Sequence, residues 1–119
     1  MNKTLYLDLN ARKILLDANG IVAKTDETRP INDLEALTAK AFIESCCKKL
    51  KQKNTRNSSY GLKHRAENWG RQMNEVMGEQ IFSEYVSNGA FIKAASELGF
   101  IIYRIDQSLN CHFQMSLKR

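Results

Sequence analysis

Residues 46–59, Cys46-Cys47-Lys48-Lys49-Leu50-Lys51-Gln52-Lys53-Asn54-Thr55-Arg56-Asn57-Ser58-Ser59, decide how the chain is divided. Upstream of them, Asn32 followed three residues later by Glu35 has the form of a capping box. Leu34, Leu37, Ala41, Ile43 and Leu50 approximate one apolar stripe at helical spacing. The pattern predicts a helix from about Asp33 to Lys51. Lys48, Lys49 and Lys51 then fall in its last turns, where cations complement the negative end of the helix dipole. Gln52 to Ser59 follows as a polar loop. Ser58 or Ser59 caps a second helix that carries Leu62, Ala66, Trp69, Met73 and Val76 or Met77 at helical spacing. Gly70 and Gly78 each disfavour helix by about 1 kcal/mol relative to alanine, so a bend or break is expected there.

Outward from this stretch, Leu5, Leu7 and Leu9 alternate with Tyr6 and Asp8, the period of a strand with one buried face. Arg12 to Lys24 admits two readings. Asn19-Gly20, between Ile14-Leu15-Leu16 and Ile21-Val22, signals a type I′ hairpin; alternatively, Gly20 closes a short helix that starts at Ala11. The hairpin is preferred. Asp26 to Ile31 is a polar turn around Pro30. A third helix starts after Ser87, runs from Asn88 to Leu98 and stops at Gly99. Phe100 to Ile105, and the alternation of Cys111, Phe113, Met115 and Leu117, predict two closing strands around a turn at Asp106 to Asn110. Strands, then helices, then strands predict an α+β fold. It is read as a single domain over 1–119, with strands and a hairpin at 1–24, a helical part at 32–98 and a terminal β-hairpin at 100–117. Two or three major helices pack on a small antiparallel sheet. In 119 residues a second independent core is too small to expect.

Between Lys48 and Arg71, eight cations are set against one acid, Glu67, a local charge of +7; the other ten cations and twelve acids sum to −2. The net charge of +5 is therefore concentrated, and such a patch attracts polyanions or an acidic protein surface. The candidate contact residues are Lys48, Lys49, Lys51, Lys53, Arg56, Lys63 and Arg65. Asn57 and Ser58 add neutral donors of the kind found beside Lys and Arg at phosphates. Tyr60 and Trp69 lie nearby, and an aromatic face can stack on an unpaired base, although Trp69 falls on the apolar stripe and is expected in the core. The plainer competing reading is a solvated helix end. Ser87-Asn88-Gly89 also suggests a recognition helix, with backbone amides for a phosphate, Asn88 for an adenine edge and Lys93 for the backbone. A helix-turn-helix needs a turn of about 3–4 residues. The stretch from Trp69 to Ser87 is too long for that unless the second helix breaks at Gly78, so an ordinary core helix is expected.

Cys46, Cys47 and Cys111 are odd in number and two are adjacent, unlike a disulfide scaffold. They are expected as free thiols in a reducing cytoplasm, buried as small hydrophobes. With His64 and His112 they offer no Cys-x-x-Cys or His-x-x-x-His spacing, so no metal or other cofactor is expected. His64 reaches Ser58, Ser59 or Cys111 as a base only through tertiary proximity. The chain has no Gly-x-Ser-x-Gly elbow, phosphate loop or dinucleotide fingerprint. Glu75, Glu79 and Glu84 read as a solvated acidic face, and a non-enzymatic protein is expected. No apolar run is long enough to cross a bilayer. The first residues alternate instead of forming the apolar stretch of a signal peptide. A cytoplasmic location without a membrane partner follows as an expectation.

Ser58-Ser59-Tyr60-Gly61-Leu62-Lys63-His64, Tyr85-Val86-Ser87-Asn88-Gly89-Ala90-Phe91-Ile92 and Leu109-Asn110-Cys111-His112-Phe113 together resemble a pattern in short proteins of bacterial prophages and plasmids, over residues 58–116. The resemblance implies a mobile element in a bacterial cytoplasm and no particular mechanism. In that setting the expected protein is a small binder whose basic ridge meets DNA, RNA or a complex that handles them. The alternative is an anti-CRISPR-type inhibitor that docks on a bacterial nucleoprotein defence complex. A homodimer through an apolar edge of the terminal strand is a third reading.

Overall fold

The structure, a computed structural model, describes residues 5–9, 12–22, 29–105 and 108–118. Its first three strands, β1 (Leu5–Leu9), β2 (Arg12–Asp17) and β3 (Gly20–Val22), form an antiparallel sheet in chain order. Asp17 pairs with Gly20 across a two-residue turn of Ala18 and Asn19, so the expected hairpin forms with its turn one residue earlier than the Asn19-Gly20 signal. Gly20 has φ +123°, a conformation that a side chain would oppose. The Asp17 carboxylate holds the turn by accepting from the amides of Asn19 and Arg29 at 2.8 and 3.1 Å. The expected polar turn at Asp26 to Ile31 lies largely outside the described residues.

Helix α1 (Asp33–Cys46) begins as its sequence requires: Asn32 Oδ1 accepts from the Glu35 amide at 3.1 Å. The Glu35 carboxylate does not close the box. It accepts instead from the amide of Ser87 at 2.9 Å and so ties two helix starts together. The face that α1 buries differs from the leucine stripe. Ala36, Thr38, Ala39, Phe42 and Ile43 are buried, whereas Leu34 and Leu37 are exposed. Phe42 explains the choice, because its ring meets both Trp69 and Phe91, at centroid distances of 6.2 and 6.3 Å.

The largest departure from expectation follows at once. The helix stops at Cys46, and residues 47–54 form an extended strand, β4 (Cys47–Asn54), where the sequence predicted a helix to Lys51 and then a loop. The expected helical part at 32–98 is therefore interrupted by a strand. Lysines and glutamine have weak strand preference; ladder hydrogen bonds to a distant strand override it. That partner is β6 (Cys111–Leu117), the middle strand of a second antiparallel sheet of order β4-β6-β5, with β5 at Ile102–Arg104. β6 is covered by β5 at Cys111–Phe113 and by β4 at Met115–Leu117, so its apolar residues are paired on at least one side throughout these stretches. Among the described residues there are thus two three-stranded sheets instead of one small one.

Helix α2 (Ser59–Met77) is capped by Ser58 and ends at Gly78, a left-handed residue with φ +68°. It runs unbroken through Gly70. That glycine permits close approach, because a Cβ there would meet Ser83 O at 3.0 Å and Thr38 Cγ2 at 3.3 Å. The segment after α2 is held by side chains in place of a ladder. Asn74 Oδ1 accepts from the amides of Ile81 and Phe82, both at 2.8 Å, and Thr38 Oγ1 accepts from the Ser83 amide at 2.9 Å. Helix α3 (Asn88–Glu97), capped by Ser87, is buried along almost its whole length, and Phe91 contacts Phe113 of β6 at 5.7 Å between centroids.

The α3 N-terminus cannot enter a groove of DNA. A Cβ on Gly89 would lie 1.7 Å from Asp17 O, and the Gly89 amide already donates to Ala18 O at 3.0 Å. The first hairpin is seated on the very residues a recognition helix would present, and Lys93 faces Asp33 at 3.8 Å. Glu79 to Tyr85 contains no helix. Among the described residues no helix is long and apolar enough to cross a membrane.

Candidate nucleic-acid interface

Strand β4 starts in regular register, with Cys47 opposite Leu117, Lys48 opposite Ser116 and Lys49 opposite Met115. Directly opposed residues share a face, so Lys49 starts on the side of buried Met115 and Lys48 on the outer side with Ser116. The next pair is Asn54 with Phe113, so five steps along β4 are matched by two along β6. This bulge pushes residues 50–53 out of the ladder and re-aims their side chains. Asn54 anchors its far end: Nδ2 donates to Met115 O at 3.0 Å and Oδ1 accepts from the Arg56 amide at 3.0 Å.

The result is a groove of about 490 Å³ that gathers Lys48, Lys53 and Arg56 with Gln52, Asn57 and Ser116. Lys53 reaches across the sheet, its Nζ lying 5.5 Å from the centroid of the Tyr103 ring on β5. Tyr103 is paired with His112, and its hydroxyl accepts from Gln114 Nε2 at 2.6 Å. Tyr103, His112, Gln114 and Ser116 therefore form a half-buried outer face edged by lysines. The His112 imidazole is held below its ordinary pKa by partial burial and by the Lys53 charge. These four residues were not among the sequence candidates. For His112, Gln114 and Ser116 the signal was the alternation of β6, which puts them on the side opposite Cys111, Phe113 and Met115; Tyr103 joins them only through its register with His112.

The candidate cations divide into two groups. Lys48, Lys49, Lys51, Lys53 and Arg56 are exposed, and among the described residues none has a carboxylate within salt-bridge distance. Lys49 lies 5.5 Å over the Phe100 ring, and Lys51 is exposed on the bulge. Arg65 is exposed on α2 but does not line the groove. Ser58 is engaged as the α2 cap, accepting from the Gly61 amide at 3.4 Å.

Lys63 leaves the ridge altogether. It is 5% exposed, its Nζ is 3.2 Å from Glu67 Oε2, and the rings of Tyr85 and Tyr60 lie 4.7 and 5.4 Å away. Glu67 also accepts from the Val86 amide at 3.0 Å and contacts His64 Nδ1 at 2.8 Å. Burial alone would raise its pKa, but the Val86 amide, His64 and Lys63 together hold it below the ordinary carboxylate value. His64 is thus engaged with a carboxylate, while Ser59 Oγ is buried and accepts from the Cys111 amide at 3.1 Å. Burial pushes the Cys47 and Cys111 thiols up to about 12, and Cys46 is raised as well, so all three free cysteines are protonated packing groups. Trp69 packs against Phe82 at 4.8 Å, as its stripe position predicted. No family model, curated protein or solved structure matches the chain.

Proposed function

We propose that the chain is a non-enzymatic, cytoplasmic protein that binds single-stranded DNA or RNA through the β4 groove and the outer face beside it. The observation that carries this reading is a run of cations without counter-charges. Lys40, Lys63, Lys93 and Arg71 each face a carboxylate; Arg29, Arg65, Arg104 and Lys118 do not, but only Lys48, Lys49, Lys51, Lys53 and Arg56 stand together without one on β4 and its exit, among the described residues. Unpaired cations along a groove suit a phosphate backbone, and Gln52, Asn57 and Ser116 supply neutral hydrogen-bonding groups between them. Tyr103 and His112 offer rings on the adjoining face, the element that distinguishes an unpaired strand from a duplex.

Fluorescence anisotropy with a labelled oligonucleotide tests the reading. Lys48→Glu/Lys53→Glu is expected to weaken binding more than tenfold while circular dichroism stays that of the parent. Parental affinity in that variant would refute the proposal. So would a protein that ignores naked strands but is retained by a nuclease complex in a lysate.

A further inference from the structure

A second cleft, of about 390 Å³, lies where the first turn of α2 meets the β2–β3 turn and the loop before β6. Tyr60, Lys63, Tyr85, Asn88, Asn19 and Asn110 line it. Two features set it apart from an ordinary surface hollow. The first is a buried cation between two aromatic rings that are themselves 52% and 58% exposed, Tyr60 and Tyr85. One of the three ammonium donors goes to Glu67, which fixes the head of Lys63 in place.

The second is an orphaned acceptor. Asn88 is 7% exposed, and its Nδ2 donates to Asn110 Oδ1, Asn19 O and Leu109 O at 2.9, 3.0 and 3.1 Å. Three oxygens around one amide nitrogen fix the orientation of the group, because the flipped amide would set oxygen against oxygen. Asn88 Oδ1 is then the buried side-chain atom without a hydrogen-bond partner among the described residues. That atom is covered as it stands, so it gains a partner only if the cleft wall shifts to admit a donor. Asn110 contributes its oxygen to Asn88, and among the described residues its own NH₂ group has no acceptor.

We infer that this cleft takes one unpaired nucleobase of the strand held in the β4 groove, an inference that rests on the nucleic-acid reading above. A base supplies an N–H for Asn88 Oδ1 and a ring acceptor for the Asn110 amide. It also presents a flat face to an exposed tyrosine. The two sites are neighbours along the chain. Asn57 lines the groove and Tyr60 lines the cleft, so their Cα atoms are at most about 11 Å apart. That distance corresponds to about three stacked nucleotides.

The test is an NMR titration of the full chain with AMP, with inorganic phosphate as the control. Saturable shifts of the Asn88 side-chain NH₂ and the Tyr85 amide are expected with AMP and not with phosphate. Tyr60→Ala/Tyr85→Ala, checked by circular dichroism because both rings also cover Lys63, should lose those shifts and bind a single-stranded oligonucleotide roughly tenfold more weakly. Absence of AMP shifts, or equal shifts with phosphate alone, would overturn the base site. AMP binding that persists in Lys48→Glu/Lys53→Glu supports a cleft independent of the groove. Oligonucleotide binding by the parent without any AMP response would leave the groove reading standing and remove this one.

Discussion

Lys53 and Lys63 are ten residues apart in one basic run, yet they belong to different chemistries. Lys53 lies on a bulged edge strand, exposed and unpaired among the described residues, with its ammonium over Tyr103. Lys63 is sealed between α2 and the segment before α3, neutralised by Glu67 and covered by two tyrosines. Charge density along a sequence therefore does not measure charge displayed. The β4 edge leaves its cations displayed. The Lys63–Glu67 pair is built to hold α2 to the Val86 backbone.

The comparison breaks most visibly in stability. Glu67→Ala leaves a buried ammonium without its counter-charge and the Val86 amide without its acceptor, and is expected to cost about 3–5 kcal/mol in urea denaturation. Lys51→Ala should stay within about 0.5 kcal/mol of the parent. Equal effects from the two substitutions would dissolve the distinction. Asn74→Ala, which removes the acceptor for the Ile81 and Phe82 amides, is expected to cost about 1–3 kcal/mol and to loosen residues 79–85 in hydrogen exchange.

Acid separates the two regions further. The folded-state pKa of Glu67 lies below its ordinary value, so its contribution is fully present above about pH 4.5 and is lost as pH falls through the lower folded value. Stability followed by denaturation should decline in that window, and Glu67→Gln should flatten the decline. His112 responds differently. Its lowered pKa means that the unfolded chain takes up its proton first, so a small loss of stability begins below about pH 6.5. A bound strand near Lys53 should raise that pKa, and an imidazole titration that does not move on adding oligonucleotide would count against contact at this face. The smallest effect concerns the cysteines. The native protein should react slowly with thiol reagents at pH 8, and all three thiols should become reactive on unfolding.

Much of the fold was legible in local signals. Asn32, Ser58 and Ser87 start helices, Gly78 ends one, and the alternation through Cys111, Phe113 and Met115 marks the central strand of its sheet. What escaped was decided at long range. Residues 47–54 are lysine-rich and locally indifferent; Cys47–Lys49 and Asn54 are drawn out by the ladder to β6, about sixty residues later, and residues 50–53 are carried between them. The bulge that opens the groove has no local signature. Lys63 and Glu67 have the spacing of an ordinary surface pair on a helix; only Tyr85 and Val86, brought in from another segment, bury them. The leucines of α1 misled for a related reason, since the face that carries Phe42 makes the aromatic contacts of the core.

The salt dependence of binding to a short single-stranded oligonucleotide tests the β4 groove most directly. Three phosphates met by Lys48, Lys53 and Arg56 predict a slope of log affinity against log salt of about −2, at roughly −0.7 per phosphate on a single strand. In Lys48→Glu/Lys53→Glu/Arg56→Glu that slope should collapse toward zero together with the affinity. A parent that does not bind, or a triple variant that keeps both slope and affinity, would contradict the account.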